Sequence, residues 1–156
     1  MRNEIYELEE APDAMIFEFT SVGPKGEIPK LVIYSELNIK GLYNLGFGDK
    51  NSQTGRIDDL AITDNKDSQK VLATVASTVY TFMNKYPDAM ITARGSTKAR
   101  TRLYQMGISN SLEEISNDFT VWGSKDAENG IWRPFKKNVE YDAFLITYKK
   151  TITWKK

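Results

Sequence analysis

Apolar and polar positions alternate with period two over the first third of the chain and with period 3.6 after it. Met15-Ile16-Phe17-Glu18-Phe19 and Leu31-Val32-Ile33-Tyr34 predict two strands. Between them Gly23-Pro24-Lys25-Gly26 supplies turn chemistry, so the pair reads as a hairpin. Residues 41–47 set Leu42, Asn44 and Gly46 against Tyr43, Leu45 and Phe47, a third strand with apolar character on both faces. A polar loop over 49–55 leads to a fourth strand over 57–62. The first third is therefore expected to be an antiparallel meander.

Val71, Leu72, Val75, Val79, Phe82 and Met83 then form one stripe at helical spacing, predicting a long helix. Asp64 or Asp67 is placed to cap it, and Pro87 stops it by pushing the residue before it out of the helical region. Ala89-Met90-Ile91-Thr92-Ala93 is a short strand. Gly95-Ser96-Thr97 turns the chain into a second helix, capped by Ser96 or Thr97 and expected to end at Gly107 in the left-handed conformation. Ser111-Leu112-Glu113-Glu114 has the form of a capping box and opens a brief third helix through Ile115. Strands follow over 119–122, at Ile131-Trp132 before Pro134, and over 143–148. The expected fold class is α+β: a mixed, mostly antiparallel sheet with one long helix and one or two shorter helices packed on it. Residues 1–148 are expected to form a single domain, with 149–156 a basic tail. The step from the fourth strand through the long helix to the next strand is long enough for a right-handed crossover, which would make those two strands parallel.

Composition narrows the chemistry. The chain has 156 residues and neither Cys nor His. That excludes disulfides, thiolate and imidazole metal sites, Ser-His-Asp and Cys-His mechanisms, and the usual neutral-pH general base. Lys+Arg and Asp+Glu balance at 21 each, so no global field advertises a polyanionic partner. The balance is uneven along the chain: residues 1–67 carry a net −6, 68–129 a net +1 and 130–156 a net +5. No apolar run approaches the ~20 residues that span a bilayer. The N-terminus opens into Glu4, Glu7, Glu9 and Glu10 in place of an apolar signal core, so a cytoplasmic location and no membrane partner are expected.

The most pointed constellation is Arg94-Gly95-Ser96-Thr97-Lys98-Ala99-Arg100-Thr101-Arg102. A strand ends in Arg, a glycine turns the chain, two hydroxyls stand at a helix start, and further cations follow without an acid. Arg94, Gly95, Ser96, Thr97, Lys98, Arg100 and Arg102 are accordingly the candidate ligand-binding residues for an anion. Lys98 and Arg102 share one helix face, Arg100 and Tyr104 a neighbouring one. The same residues would also serve as a plain helix cap with solvated cations. Tyr104, Trp122, Trp132 and Phe135 offer rings for stacking on RNA or single-stranded DNA, or alternatively cross-strand packing. Asp58 and Asp59 are adjacent on the expected fourth strand and point to opposite faces, a poor geometry for a shared metal, and no metal site is expected.

The order of elements, with Ala99-Arg100-Thr101-Arg102-Leu103-Tyr104-Gln105-Met106-Gly107-Ile108, resembles the core of the GNAT acyltransferase superfamily. The resemblance covers roughly residues 57–108 and the strand order. It implies that Tyr104 would be the catalytic general acid for a departing thiolate and acetyl-CoA the cofactor. Two features depart from that pattern. The spacer between Tyr104 and Gly107 holds two residues where the superfamily usually has three. Thr63-Asp64-Asn65-Lys66-Asp67-Ser68-Gln69-Lys70 has no glycine and two carboxylates where the superfamily's pyrophosphate loop sits, although a close backbone approach to phosphates needs glycine. At full length the chain is similar to an uncharacterised family of small bacterial proteins common in Bacteroidetes, through Ala93-Arg94-Gly95-Ser96-Thr97, residues 100–104 and Trp132-Arg133-Pro134-Phe135.

The sequence therefore points first to a non-catalytic binding or interaction module that needs no cofactor. It would recognise an anionic small molecule or protein partner through residues 94–104. A divergent acyl-CoA-dependent N-acyltransferase is the second reading. An RNA- or single-stranded-DNA-binding protein of a toxin–antitoxin or defence setting is the third.

Overall fold

The computed structural model describes residues 4–58 and 63–149. In chain order the elements are β1 (Glu9–Glu10), β2 (Ile16–Gly23), β3 (Gly26–Glu36), β4 (Leu42–Asp49), α1 (Ser68–Lys85), β5 (Met90–Ala93), α2 (Lys98–Asn110), α3 (Leu112–Asp118), β6 (Phe119–Asp126), β7 (Ile131–Pro134) and β8 (Ala143–Tyr148), with a 3-10 turn before β7. The strands form one open sheet in the order β1-β2-β3-β4-β5-β8-β6-β7. Every pairing is antiparallel except β4 with β5, which is parallel. The fold is α+β, as the sequence pattern predicts.

The hairpin of β2 and β3 closes at the Gly23–Gly26 pair, where Gly26 has φ +90°, a conformation that glycine adopts without the strain of a Cβ. The helical stripe predicted on α1 is the stripe that is buried. Phe82 stacks on Tyr34 of β3 with ring centroids 4.2 Å apart and meets Tyr43 of β4 edge-on at 5.0 Å. A cavity of about 40 Å³ is lined by residues of α1, α2 and α3 together with Leu45, Ala93 and Ile146 of the sheet, which puts all three helices on one face.

Several expectations are corrected. Of the fourth strand, Ile57 makes one isolated bridge to Lys50, while residues 59–62, Asp59 among them, lie outside the described residues. The parallel partner of β5 is therefore β4, the third strand expected. Gly107 does not end α2; the helix runs three residues further, and Gly107 lies in its buried face against Leu72 of α1, where a Cβ would stand 3.4 Å from Leu72 Cδ2. The residue serves helix packing there and not a turn. Asp67 occupies the N-cap position of α1 but makes no capping bond, because its carboxylate accepts hydrogen bonds from the Tyr6 and Ser21 hydroxyls, both at 2.5 Å. Ser111 makes no side-chain cap to α3, so the capping box does not form. β8 ends at Tyr148, and residues 150–156 of the expected tail lie outside the described residues. No helix among the described residues is long and apolar enough to cross a membrane.

Candidate functional site

The parallel pairing of β4 with β5 is short. It runs from Leu42–Met90 to Asn44–Thr92 and then stops. The Met90 N–H donates to the Gly41 carbonyl at its start, so the odd-numbered residues of β4 turn their backbone groups toward β5. Past the last pair, Leu45 and Phe47 would be left without partners on that side. Tyr104 supplies them: its hydroxyl accepts from the Phe47 N–H at 3.0 Å and approaches the Leu45 carbonyl at 3.4 Å. A buried strand edge needs such a partner. Burial pushes the Tyr104 hydroxyl up from its ordinary 10.0 to about 12, against the opposing pull of the Phe47 amide and the Arg100 charge. The phenol is neutral and already engaged at the strand.

The turn from β5 into α2 is fixed from within. Thr97 is the N-cap residue, and its hydroxyl accepts the Arg100 N–H at 3.2 Å. The Gly95 N–H donates to Thr101 Oγ1 at 3.1 Å, and Thr101 Oγ1 donates back to the Thr97 carbonyl at 3.1 Å. Gly95 is pressed against the helix so closely that a Cβ would stand 2.6 Å from the Arg100 carbonyl carbon. With the turn so held, Arg94 and Ser96 stay exposed, each without a side-chain hydrogen bond or ion pair among the described residues. Arg100 is half-buried and donates from Nη2 to the Asp58 carbonyl at 2.9 Å.

These residues border a cleft of about 300 Å³. One wall is Arg94, Gly95, Ser96 and Arg100; Tyr104 lies at the inner end. The facing wall comes from the helix-free side of the sheet, where Ser35 and Asn44 are register partners across β3 and β4. Among the described residues two arginines, Arg94 and Arg100, line the cleft and no acidic residue does. Thr97, Lys98 and Arg102 stand outside the lining: Thr97 caps the helix, and Lys98 and Arg102 are exposed on its other side. The predicted constellation therefore divides, with Arg94, Gly95, Ser96, Arg100 and Tyr104 together and the other three apart. Sequence reasoning missed Ser35, Asn44 and Ile57 as lining residues. The first two leave a trace, as polar residues inside otherwise apolar strands.

Of the other rings proposed for stacking, Trp122 and Trp132 are half-buried, and Phe135 packs with Tyr141 and Phe144 at centroid distances of 5.4 and 5.9 Å. Two further polar clusters were not anticipated. Lys30 and Asp49 form a buried ion pair that also holds Thr63, and Asn65, 1% exposed, bonds Ser21, Gly26 and Lys25 around the β2–β3 turn. Among the described residues no group of three Asp or Glu side chains is placed to hold a metal ion.

A family model described as a family of unknown function, DUF6934, matches residues 2–149. The chain belongs to that family. The DUF6934 match spans every element from β1 to β8 and with them both walls of the cleft. No curated protein and no solved structure matches the chain.

Proposed function

We propose that the protein is a binding module that takes an anionic ligand or partner into the cleft between β4, β5 and α2. The observation that carries this reading is the lining itself: Arg94, Arg100 and Ser96 border one concavity, and among the described residues no acidic residue lines it. Arg94 makes no ion pair among the described residues, and Arg100 spends one N–H on a neutral carbonyl, so both keep charge for an incoming anion. The test is a titration of the ¹⁵N-labelled chain with sodium sulfate followed by amide shifts. The expected result is saturable movement of the Gly95, Ser96 and Phe47 amides, weakened about tenfold by Arg94→Ala, the size of one charge-assisted hydrogen bond. Shifts absent from the cleft, or unchanged by Arg94→Ala, would overturn the reading.

The strand order also supports a GNAT-type architecture, since the parallel β4–β5 pair is reached through a long helix and β8 inserts between β5 and β6. The acyltransferase reading draws on that likeness alone. Against it, the Tyr104 hydroxyl is committed to β4, and the start of α1 carries Asp67 where a pyrophosphate would need bare amides. A rise in melting temperature with acetyl-CoA would restore it. Among the described residues RNA or single-stranded DNA finds no exposed ring in the cleft wall on which to stack, because Phe47 and Tyr104 are both buried.

A further inference from the structure

Resting on the anion reading above, we propose that the cleft is a nucleoside monophosphate site, with the phosphate on Arg94, Ser96 and Arg100 and one edge of the base on Asn44 and Ser35.

Size sets the first limit. A volume of about 300 Å³ lies at the small end of ligand pockets, roughly 300–1,000 Å³. That suits one mononucleotide and is cramped for a dinucleotide or coenzyme A. Polarity sets the second. The two walls differ in kind: the β5–α2 wall is cationic, and the β3–β4 wall is neutral and hydrogen-bonding. A bare inorganic anion would use only the first. The ligand that uses both has a charged head at one end and a neutral polar group at the other.

The residues between the walls describe the body that joins them. Ile33 and Ile57 are apolar, and Gly46, register partner of Ile33, has no side chain to fill the floor. A Cβ there would stand 3.4 Å from Ile57 Cδ1 and 4.0 Å from Asn44 Nδ2, in ordinary contact with both, so the missing side chain at residue 46 leaves that floor bare. Apolar side chains bordering a bare floor accept the face of a flat ring. The Asn44 amide offers a donor and an acceptor side by side and has no hydrogen-bond partner among the described residues; the Ser35 hydroxyl next to it has none either. An adjacent donor and acceptor on a planar ring is what each nucleobase presents on its Watson–Crick edge, and Asn is suited to reading it. A phosphate monoester, with up to two charges and three free oxygens, matches two guanidiniums and a hydroxyl better than a single carboxylate does.

The experiment titrates the ¹⁵N-labelled full chain separately with inorganic phosphate, ribose 5-phosphate, adenosine, and AMP, GMP, CMP and UMP. At least one of the four nucleotides is expected to bind roughly tenfold more tightly than ribose 5-phosphate, the gain expected from one paired base edge. Asn44→Ala should remove that gain and leave the affinity for inorganic phosphate unchanged. Ser35→Ala, at an exposed strand position, gives a second reading should Asn44→Ala fail to fold. Arg94→Ala should weaken every phosphate-bearing ligand. Nucleotides that bind no better than ribose 5-phosphate, or a gain that survives both Asn44→Ala and Ser35→Ala, would overturn the nucleotide inference while the anion reading stands. If inorganic phosphate itself leaves the cleft amides unmoved, the anion reading falls too.

Discussion

Lys30 and Asp49 face each other across β3 and β4 as register partners, with Nζ and Oδ1 2.5 Å apart and Lys30 only 1% exposed. The pair does more than neutralise itself. Lys30 Nζ donates to the Thr63 carbonyl and Asp49 Oδ2 accepts the Thr63 N–H, both at 2.9 Å. Thr63 is thus held by both of its backbone groups. Two residues on, Asn65 is bonded into the β2–β3 turn, and two further on Asp67 is bonded to Tyr6 and Ser21. Three alternate residues are pinned to the sheet by side-chain chemistry, and α1 starts from a fixed point.

Breaking one half of that pair should cost far more than replacing both. Asp49→Ala leaves an ammonium buried without its counter-charge, and the expected loss is about 3–5 kcal/mol in urea unfolding. The double variant Lys30→Met, Asp49→Leu removes both desolvation costs and should recover part of it. A single-variant loss below about 1 kcal/mol would mean that Lys30 finds water or another acceptor.

Tyr104→Phe keeps the ring and deletes the one hydroxyl that completes the edge of β4. The Phe47 amide and Leu45 carbonyl would be left unpaired, for an expected loss of about 1–3 kcal/mol. The pH dependence has a definite sign. The folded phenol titrates near 12 and an unfolded one near 10, so its contribution is complete below pH 10 and is lost as pH rises toward 12. Burial raises the Tyr34 hydroxyl in the same direction. The wild-type chain should lose stability steeply above pH 10, and Tyr104→Phe should flatten that slope. Alkaline unfolding curves of the two proteins that run parallel would contradict the buried placement.

Gly95→Ala tests the turn. Its φ is not in the left-handed region, so backbone strain is not at issue; the added carbon meets the backbone of Arg100. The turn must lift from the helix and break the Gly95–Thr101 hydrogen bond. A loss of about 1–3 kcal/mol is expected from thermal melts, together with weaker anion binding because Arg94 and Ser96 move with the turn. Unchanged stability would show that the close approach is relieved cheaply.

β2 to β8 and the three helices were legible, unlike the two-residue β1, because most are written in local periodicity: the stripe from Val71 to Met83 can only be one face of a helix. What escaped depended on pairing across the sheet. Ser35 and Asn44 are nine residues apart and meet only because β3 and β4 settle in one register. Gly107 carries the same letter whether it ends a helix or lets Leu72 approach, and only the packing of α1 on α2 decides. The caps misled for a related reason, since Asp67 had better partners in Tyr6 and Ser21 than the amides of its own helix. Lys30 and Asp49 likewise become a buried pair only through the register of β3 and β4. Within residues 94–104, sequence alone showed a cluster of cations and could not tell which side of α2 faces the sheet.

That division gives the sharpest contrast between a site and a merely basic surface. Lys98 and Arg102 carry two charges and lie outside the cleft lining; Arg94 carries one and lies within it. If anions are drawn by general charge, Lys98→Gln with Arg102→Gln should weaken sulfate binding more than Arg94→Gln, because it removes twice the charge. If they are held by the cleft, the order reverses: Arg94→Gln should cost about tenfold, while the double variant changes affinity by less than about threefold, as screened charges on a solvated face do. Raising the salt to a Debye length of about 3 Å should erase the effect of the double variant and leave part of that of Arg94→Gln, which makes a direct contact. A double variant that weakens binding as much as Arg94→Gln at both salt concentrations would place the anion on the outer face of α2 and empty the cleft of its role.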